Sequence, residues 1–507
     1  MNEVNVKSYS TKKSAKTPSL MIQGTASDAG KSLIVAGLCR IFSRRGFRVM
    51  PFKPQNMSNN AAITADGGEI GRAQALQAMA CGVDPISDMN PVLLKPESDQ
   101  GSQVVVQGHV RATVSAADYL QYRYTLMKDV MESYNRLCSH ADIVFVEGAG
   151  SISEVNLRDG DISNMGFAVE AGVPVVLAAD IDRGGALASI IGSHCLLRDS
   201  ERHLLRGYMM NKFRGDRRIL DPAIDIISGR TGLSCIGIMK WFDGAAKFPA
   251  EDSLALEHSR TFGMRDGKKI KIYVLGLQRI SNFDDFDPLA AEDDVELSFV
   301  KPGNPIPGDG DLVIIPGTKS TIADLEYVRK QGWDIDIAAH IHRGGRVVGI
   351  CGGYQILGRE ISDPDAVENP VPTTIQGLGL LNVVTVMSRE KTLRRFSAST
   401  PDGSVVSGYE IHMGVTKGPG IERPLVTLNG VPEGALREDD LVGGCYIHGL
   451  FTSDEFRAKF LSIFRGGKGL GTAKQDYEKS VDTALDELAC QMESELDMEK
   501  IEEIAGI

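Results

Sequence analysis

The stretch MIQGTASDAGKSLIVAG, residues 21–37, sets Gly-Lys-Ser between two apolar runs. A strand turning tightly into a helix at that point would aim backbone N–H groups and the positive helix end at phosphate oxygens, with Lys31 as a point charge and Ser32 placed to ligate Mg²⁺. The usual loop has four residues before Gly-Lys; Gly24 and Gly30 are separated by five, so the four-residue spacing counts from Thr25. A second constellation is VVGICGGYQILG. Its Gly349-x-Cys351-x-Gly353 core is the thiol version of a nucleophile elbow, in which small neighbours permit a strained turn and a helix N-terminus stabilises thiolate and oxyanion. His448, in CYIHGLF, ends another apolar run. Two strand ends in a doubly wound sheet can be neighbours, which would make His448 the base that takes the thiol proton and the acid that returns it to the leaving group. A plain strand-to-helix turn, a buried structural cysteine and a structural histidine are the alternatives.

These residues need elements to hold them. SLMIQG, VMPFKP, DIVFVEGAG, VPVVLAAD and LLRGYMMNKF are short apolar runs alternating with helical segments, a pattern that predicts a parallel, doubly wound α/β sheet with ligands at its carboxyl edge. KIYVLGL, DLVIIPGTKS, GRVVGICGGYQILG and GGCYIHGLF repeat the signature in the second half. The expected organisation is a disordered tail over 1–18, a first domain over 19–245, a linker over 246–268, a second domain over 269–470 and an amphipathic helix over 474–507. In that helix Val481, Leu485, Leu488, Met492 and Leu496 recur at three- and four-residue spacing, and packing on its own domain is the expectation.

Composition sets bounds on partners. The chain has 507 residues, enough for about two to four domains. A net charge of −12, without a long basic run or an aromatic-interleaved basic stripe, argues against nucleic acid. The 8 cysteines form no C-x-x-C pair, which argues against a zinc site or disulfide framework and fits a cytoplasmic setting. No stretch reaches 18 consecutive apolar residues, so a membrane span is not expected. Nothing in the sequence fixes the oligomeric state.

GTASDAGKS resembles the phosphate loop of dethiobiotin synthetase and its relatives, in which ATP phosphorylates a substrate carboxylate. That resemblance implies a P-loop domain in which Lys53 of FKPQNMSNN meets phosphate and substrate carboxylate, with Gln55, Asn56 and Asn60 beside it. It also implies that Asn211 reads the adenine edge, unless it is only a turn residue. Glu147, at the strand end in VFVEGAGS, can hold Mg²⁺ directly or through water. Asp66 and Glu69 are further metal or substrate candidates. The elbow and late histidine resemble a class I glutamine amidotransferase domain, but Leu450 stands where such domains commonly place the triad Glu. Glu410 in GYEIHMG is the candidate to orient the imidazole or bind glutamine, and the backbone N–H groups of residues 315–321, Gly317 among them, and of Gly352 are candidates for the oxyanion hole.

The order of GTASDAGKS, FKPQNMSNN, NPVLLKP, VEGAGS, ADIDRGG, MNKFRGD, GICGGYQILG, GYEIHMG and YIHGLF resembles the cobyric acid synthase family of cobalamin-pathway amidotransferases, which also lacks the usual triad Glu. The resemblance covers about residues 19–470. It implies ATP- and glutamine-dependent amidation of the b, d, e and g carboxylates of adenosylcobyrinic acid a,c-diamide, with a basic pocket for which Lys53, Lys95, Arg183 and Arg214 are candidates. Cobyrinic acid a,c-diamide synthase shares the architecture and is the near alternative. A P-loop regulatory ATPase with a non-catalytic second half is the alternative of another class.

Overall fold

The computed structural model describes residues 16–96, 101–249, 269–470 and 476–507. Most of the expected tail and linker, residues 1–15 and 250–268, lies outside them. Among the described residues the chain builds two six-stranded sheets, one in each half.

The first sheet is formed by β1 (Ser19–Gly24), β2 (Val49–Phe52), β3 (Ile143–Glu147), β4 (Val175–Asp180), β5 (Leu205–Phe213) and β6 (Ser234–Lys240), in the order β6-β5-β4-β1-β3-β2. Every pairing is parallel. The physical reason is burial on both faces: SLMIQG and IVFVE are buried at every position, so these strands read as continuous apolar runs and not as alternating ones. Gly24, Glu147, Asp180 and Asn211 come out together at the carboxyl edge. Helix α1 (Lys31–Arg44) begins immediately after the loop, with Gly30 as its left-handed N-cap at φ 87°.

Between β2 and β3 the chain adds a layer that the alternation of apolar runs does not reveal. Gln55–Met57, Val92–Pro96, Gly101–Val106 and His109–Ser115 form a four-stranded sheet, and Ala61–Ile63 pairs with Glu69–Gly71 ahead of helix α2 (Arg72–Cys81). Ala61, Ile63, Leu93 and Val105 from this layer share a small core with Tyr409 and Ile411 of the second half.

The second sheet contains β7 (Ile270–Leu275), β8 (Val295–Val300), β9 (Leu312–Ile315), β10 (Arg346–Ile350) and β13 (Val442–Cys445), ordered β8-β7-β9-β10-β13, with Ala435–Leu436 antiparallel at the edge. A long antiparallel hairpin, β11 (Val384–Ser399) and β12 (Val405–Lys417), belongs to a separate four-stranded sheet. The six-residue helix α3 (Gly352–Leu357) follows β10 directly.

The C-terminal segment differs from expectation in its place. It forms two helices, α4 (Tyr477–Glu495) and α5 (Met498–Ala505), and these dock on the first unit instead of the domain they follow. Val481, Leu485, Leu488 and Met492 are 0–3% exposed and pack in one core with Ile34, Leu38 and Phe42. Fully burying each such side chain is worth at most about 1.5–3 kcal/mol. Arg40 pairs with Asp482 and Asp486 alongside, and Arg45 with Glu493 and Glu502. The amphipathic period predicts that a face is buried; it does not say on which core.

Candidate active sites and the junction between them

The phosphate-type loop wraps its own lysine. Nζ of Lys31 donates to the carbonyls of Ala26 and Ser27 at 3.0 Å each and of Gly150 at 2.8 Å. Thr25 N–H bonds to Ala178, and the Thr25 carbonyl accepts Ser151 Oγ at 2.8 Å, which ties the loop to β4 and to the segment that follows β3. A Cβ on Gly30 would collide with the Asn211 amide, so only glycine allows this approach. Asn211 is 2% exposed and lies under the loop; its Nδ2 donates to the Ala29 carbonyl at 3.0 Å and its Oδ1 accepts Lys212 N–H at 2.8 Å.

Beside the loop three predicted residues converge. Ser32 Oγ donates to Glu147 Oε1 at 2.7 Å, and Lys53 Nζ lies 2.8 Å from the same oxygen. Gln77 Nε2 donates to the other carboxylate oxygen at 2.6 Å. Glu147 is 1% exposed, and these partners supply the hydrogen bonds that burial takes away from water. Ser32, Lys53, Gln55, Asn56 and Glu147 all line one cleft of about 360 Å³.

Other candidates lie elsewhere. Asp66 is no ligand at this cleft: it is an exposed loop residue whose carboxylate caps Ser87, accepting both N–H and Oγ–H. Asn60 does not face substrate either; it is wholly buried, and its Oδ1 accepts the N–H of Phe283 at 3.1 Å from the second unit. Lys95 and Glu69 neutralise each other at 2.5 Å, each 1% exposed, and Glu69 also pairs with Lys391 across the junction. Burial works against the Glu69 charge, but Lys95, Lys391 and Lys319 hold its carboxyl far below the usual range. Arg183 pairs with Asp28 at 2.9 Å, and Arg214 stacks on Trp241 at 3.8 Å; both are exposed and outside the cleft lining.

In the second unit Cys351 has φ 53°, the strained strand-to-helix turn the elbow pattern predicts. A Cβ on Gly353 would collide with the Ile315 carbonyl, so the glycine lets the elbow sit against β9. Cys351 is 6% exposed, and its Sγ donates to the Ile411 carbonyl at 3.4 Å. His448 is fully buried nearby, and Nδ1 lies 2.7 Å from Oδ2 of Asp285. Burial disfavours the imidazolium, yet Asp285 and then Cys351 outweigh it and hold the ring up to about 10. The ring of Tyr409 stacks on the imidazole with centroids 5.2 Å apart. Gly317 abuts the imidazole edge, and Thr318 abuts Gly352, so residues 315–321 do adjoin the elbow.

Asp285, and not Glu410, therefore orients the histidine. Glu410 is turned to Arg394 at 2.9 Å. The sequence offered one signal for Asp285, the paired aspartates of SNFDDFDPL just beyond β7, which pass for a surface acidic loop until the fold brings them to β13.

The two units are joined by direct contacts beside the histidine. Ala61 N–H donates to Asn282 Oδ1 at 3.1 Å, and Arg72 pairs with Asp284 and donates to the Tyr409 hydroxyl at 3.1 Å.

Comparison with known proteins gives the same division. Residues 20–255 match the CobQ/CobB/MinD/ParA nucleotide binding domain, and residues 271–456 match the CobB/CobQ-like glutamine amidotransferase domain. The chain is 53% identical to the cobyric acid synthase of Rhizobium rhizogenes over 97% of its own length and 100% of the relative's. It is 54% identical to that of a strain of Rhodobacter capsulatus, over 94% and 98%. With a nucleotide-binding half, a glutamine amidotransferase half and full-length likeness to these enzymes, the chain belongs to the cobyric acid synthase family.

Proposed function

We propose that this chain uses ATP and glutamine to amidate the b, d, e and g carboxylates of adenosylcobyrinic acid a,c-diamide, giving adenosylcobyric acid. The observation that carries the synthetase half is the meeting of Ser32, Glu147 and Lys53 at the floor of the cleft beside the Lys31 loop. Mg²⁺ fits there, because the Ser32 hydroxyl and the Glu147 carboxylate are hard oxygen donors 2.7 Å apart. When bound, it would neutralise charge on the phosphates. Lys31 and the loop N–H groups hold the transferring phosphoryl group, and Lys53 steers the substrate carboxylate toward it. The carboxylate oxygen bonds to the γ-phosphorus, ADP leaves, and an acyl phosphate results.

In the second unit the Cys351 proton passes to Nε2 of His448, and the thiolate attacks the glutamine carboxamide carbon. His448 returns the proton to the departing ammonia, and water releases glutamate from the thioester. Gly317 and Gly352 are the proposed neighbourhood of the oxyanion, since both adjoin the reacting pair. Ammonia then displaces phosphate from the acyl phosphate to give the amide. A cytoplasmic setting fits 8 cysteines that are all unpaired, and among the described residues no helix is long and apolar enough to cross a membrane.

A time course with ATP, Mg²⁺, glutamine and the a,c-diamide, followed by mass spectrometry, tests the reading. Species should step by one amide to a product with four new ones. Product made only by amidating a and c of the unamidated precursor would assign the a,c-diamide synthase reaction instead, and glutamine hydrolysis without any amidation would overturn the corrinoid substrate.

A further inference from the structure

Cys351 and Gly352 line a small cavity together with Lys319, Glu368, Lys391 and Met413. Glu410 is not part of that lining. The acid that faces the thiol's cavity is Glu368, which sits over the start of the helix Thr321–Gln331, where its Oε2 accepts the N–H of Ile322 at 3.0 Å. Among the described residues no cation pairs with it. Burial pushes its carboxyl up from the ordinary Glu value, against the N–H groups of Ile322 and Thr321 that favour the charge. A carboxylate in that setting is stabilised by a cation that the ligand brings.

The two cations of the lining come from different elements. Lys319 precedes the helix that Glu368 covers, and Lys391 lies on β11. Between the pairs Val386–Val415 and Lys391–Met413, β11 advances five residues while β12 advances two. Irregularities of this kind re-aim side chains beside active sites, and this one sets Lys391 opposite Met413 at the cavity. Lys319 and Lys391 both act on the Glu69 carboxylate, which places their ammonium groups near each other. Lys391 Nζ donates to Glu69 Oε1. An ammonium has three donors, so that pairing and a ligand carboxylate can share it.

A thiol, a carboxylate and two ammonium groups around one cavity suit a zwitterion with an uncharged arm. Opposite charges fix its two charged groups, and the arm reaches the nucleophile. We propose that Glu368 holds the α-ammonium of glutamine and that Lys319 and Lys391 hold its α-carboxylate, which lays the carboxamide carbon against Cys351 Sγ. The inference rests on Cys351 acting on glutamine. It makes these three binding residues, with no part in bond making, and it explains a preference for glutamine over asparagine, whose shorter arm falls short of the thiol from the same anchors.

The test measures cleavage of three amides by the full chain with ATP, Mg²⁺ and the a,c-diamide present. They are glutamine, glutaramate, which lacks the ammonium, and 4-aminobutanamide, which lacks the carboxylate. Glu368→Gln is nearly isosteric and should raise KM for glutamine about 10–100-fold with kcat little changed, the effect of one hydrogen bond to a charged group. The preference for glutamine over glutaramate should shrink by the same factor. Lys391→Met should instead shrink the preference over 4-aminobutanamide. A merely structural role would lower cleavage of all three amides together, and that result overturns the proposal, as do preferences unchanged in both variants. No cleavage of glutamine by the unaltered chain would overturn the reading of Cys351 and the proposal with it; cleavage with unchanged preferences overturns the proposal alone.

Discussion

Oδ2 of Asp285 lies 2.7 Å from Nδ1 of His448, while its Oδ1 accepts the N–H of Gly449 at 2.7 Å, so one carboxylate fixes both the ring and the turn that carries it. Leu450 stands two residues after the histidine, and the acid that meets the imidazole comes instead from the 3-10 turn Phe283–Phe286. Asp285→Asn keeps the shape but cannot support an imidazolium. Glutamine-dependent synthesis should fall by on the order of 10²–10⁴ in kcat, with ammonia-dependent synthesis preserved. Steady-state kinetics with the two nitrogen donors checks this, and an equal loss with both would reassign Asp285 to structure.

Cys351 and Lys31 should separate the half-reactions in opposite ways. Cys351→Ser should abolish use of glutamine and leave ammonia as a donor, since the proposed role of the thiol is confined to glutamine. Lys31→Ala should stop synthesis with either donor, because it removes charge from the phosphoryl group in flight, while glutamine hydrolysis remains measurable. Near-normal ammonia-dependent synthesis by Lys31→Ala would remove the phosphate-loop assignment.

What could be read from the sequence was what is contiguous in it. The loop around Lys31 and the elbow around Cys351 each carry strand, turn, reacting residue and helix within one short segment, so local rules sufficed. Asp285 was not legible, because its role depends on which strand ends become neighbours, and SNFDDFDPL has no local feature that distinguishes it from a solvated acidic loop. Asn60 was misplaced for a related reason: a dense run of amides suits a substrate loop and a buried domain junction equally well, and the chain uses PQNMSNN for both, Gln55 and Asn56 in the cleft and Asn60 at the junction. From the sequence Glu69 is a metal or substrate candidate and Lys95 a basic-pocket candidate; only the fold shows that they satisfy one another.

That junction gives a pH prediction. Lys95, Lys391 and Lys319 depress the Glu69 carboxyl below its unfolded value, so the unfolded chain binds the proton more readily and stability falls as pH falls. The contribution is complete above the unfolded Glu value of about 4.3 and declines below it. Glu69→Gln, which takes the carboxylate from the buried Lys95 ammonium and from the half-buried one of Lys391, should cost about 3–5 kcal/mol at neutral pH, and the gap to the unaltered chain should narrow below about pH 4.3. Urea denaturation at pH 7 and in acid measures both. A pH-independent gap would mean that Glu69 acts through packing.

Helix α4 against α1 gives the last prediction, and it concerns the fold. Leu488 is fully buried, and Gly37 of α1 faces Leu488 and Met492 so closely that an added Cβ would collide with the Met492 sulfur. Leu488→Ala should leave a cavity and cost about 2–5 kcal/mol. Gly37→Ala should cost about 1–3 kcal/mol by overpacking, despite the better intrinsic helix propensity of alanine. Because methionine is flexible, pairing Gly37→Ala with Met492→Ala should recover part of the loss, and a double-mutant cycle on thermal or urea unfolding reads the coupling. Both substitutions lie on the nucleotide-binding unit's side, so they should destabilise that unit first and reduce ATP-dependent synthesis before glutamine hydrolysis as temperature rises. Additive effects of Gly37→Ala and Met492→Ala would show that α4 does not seat on α1 through this contact.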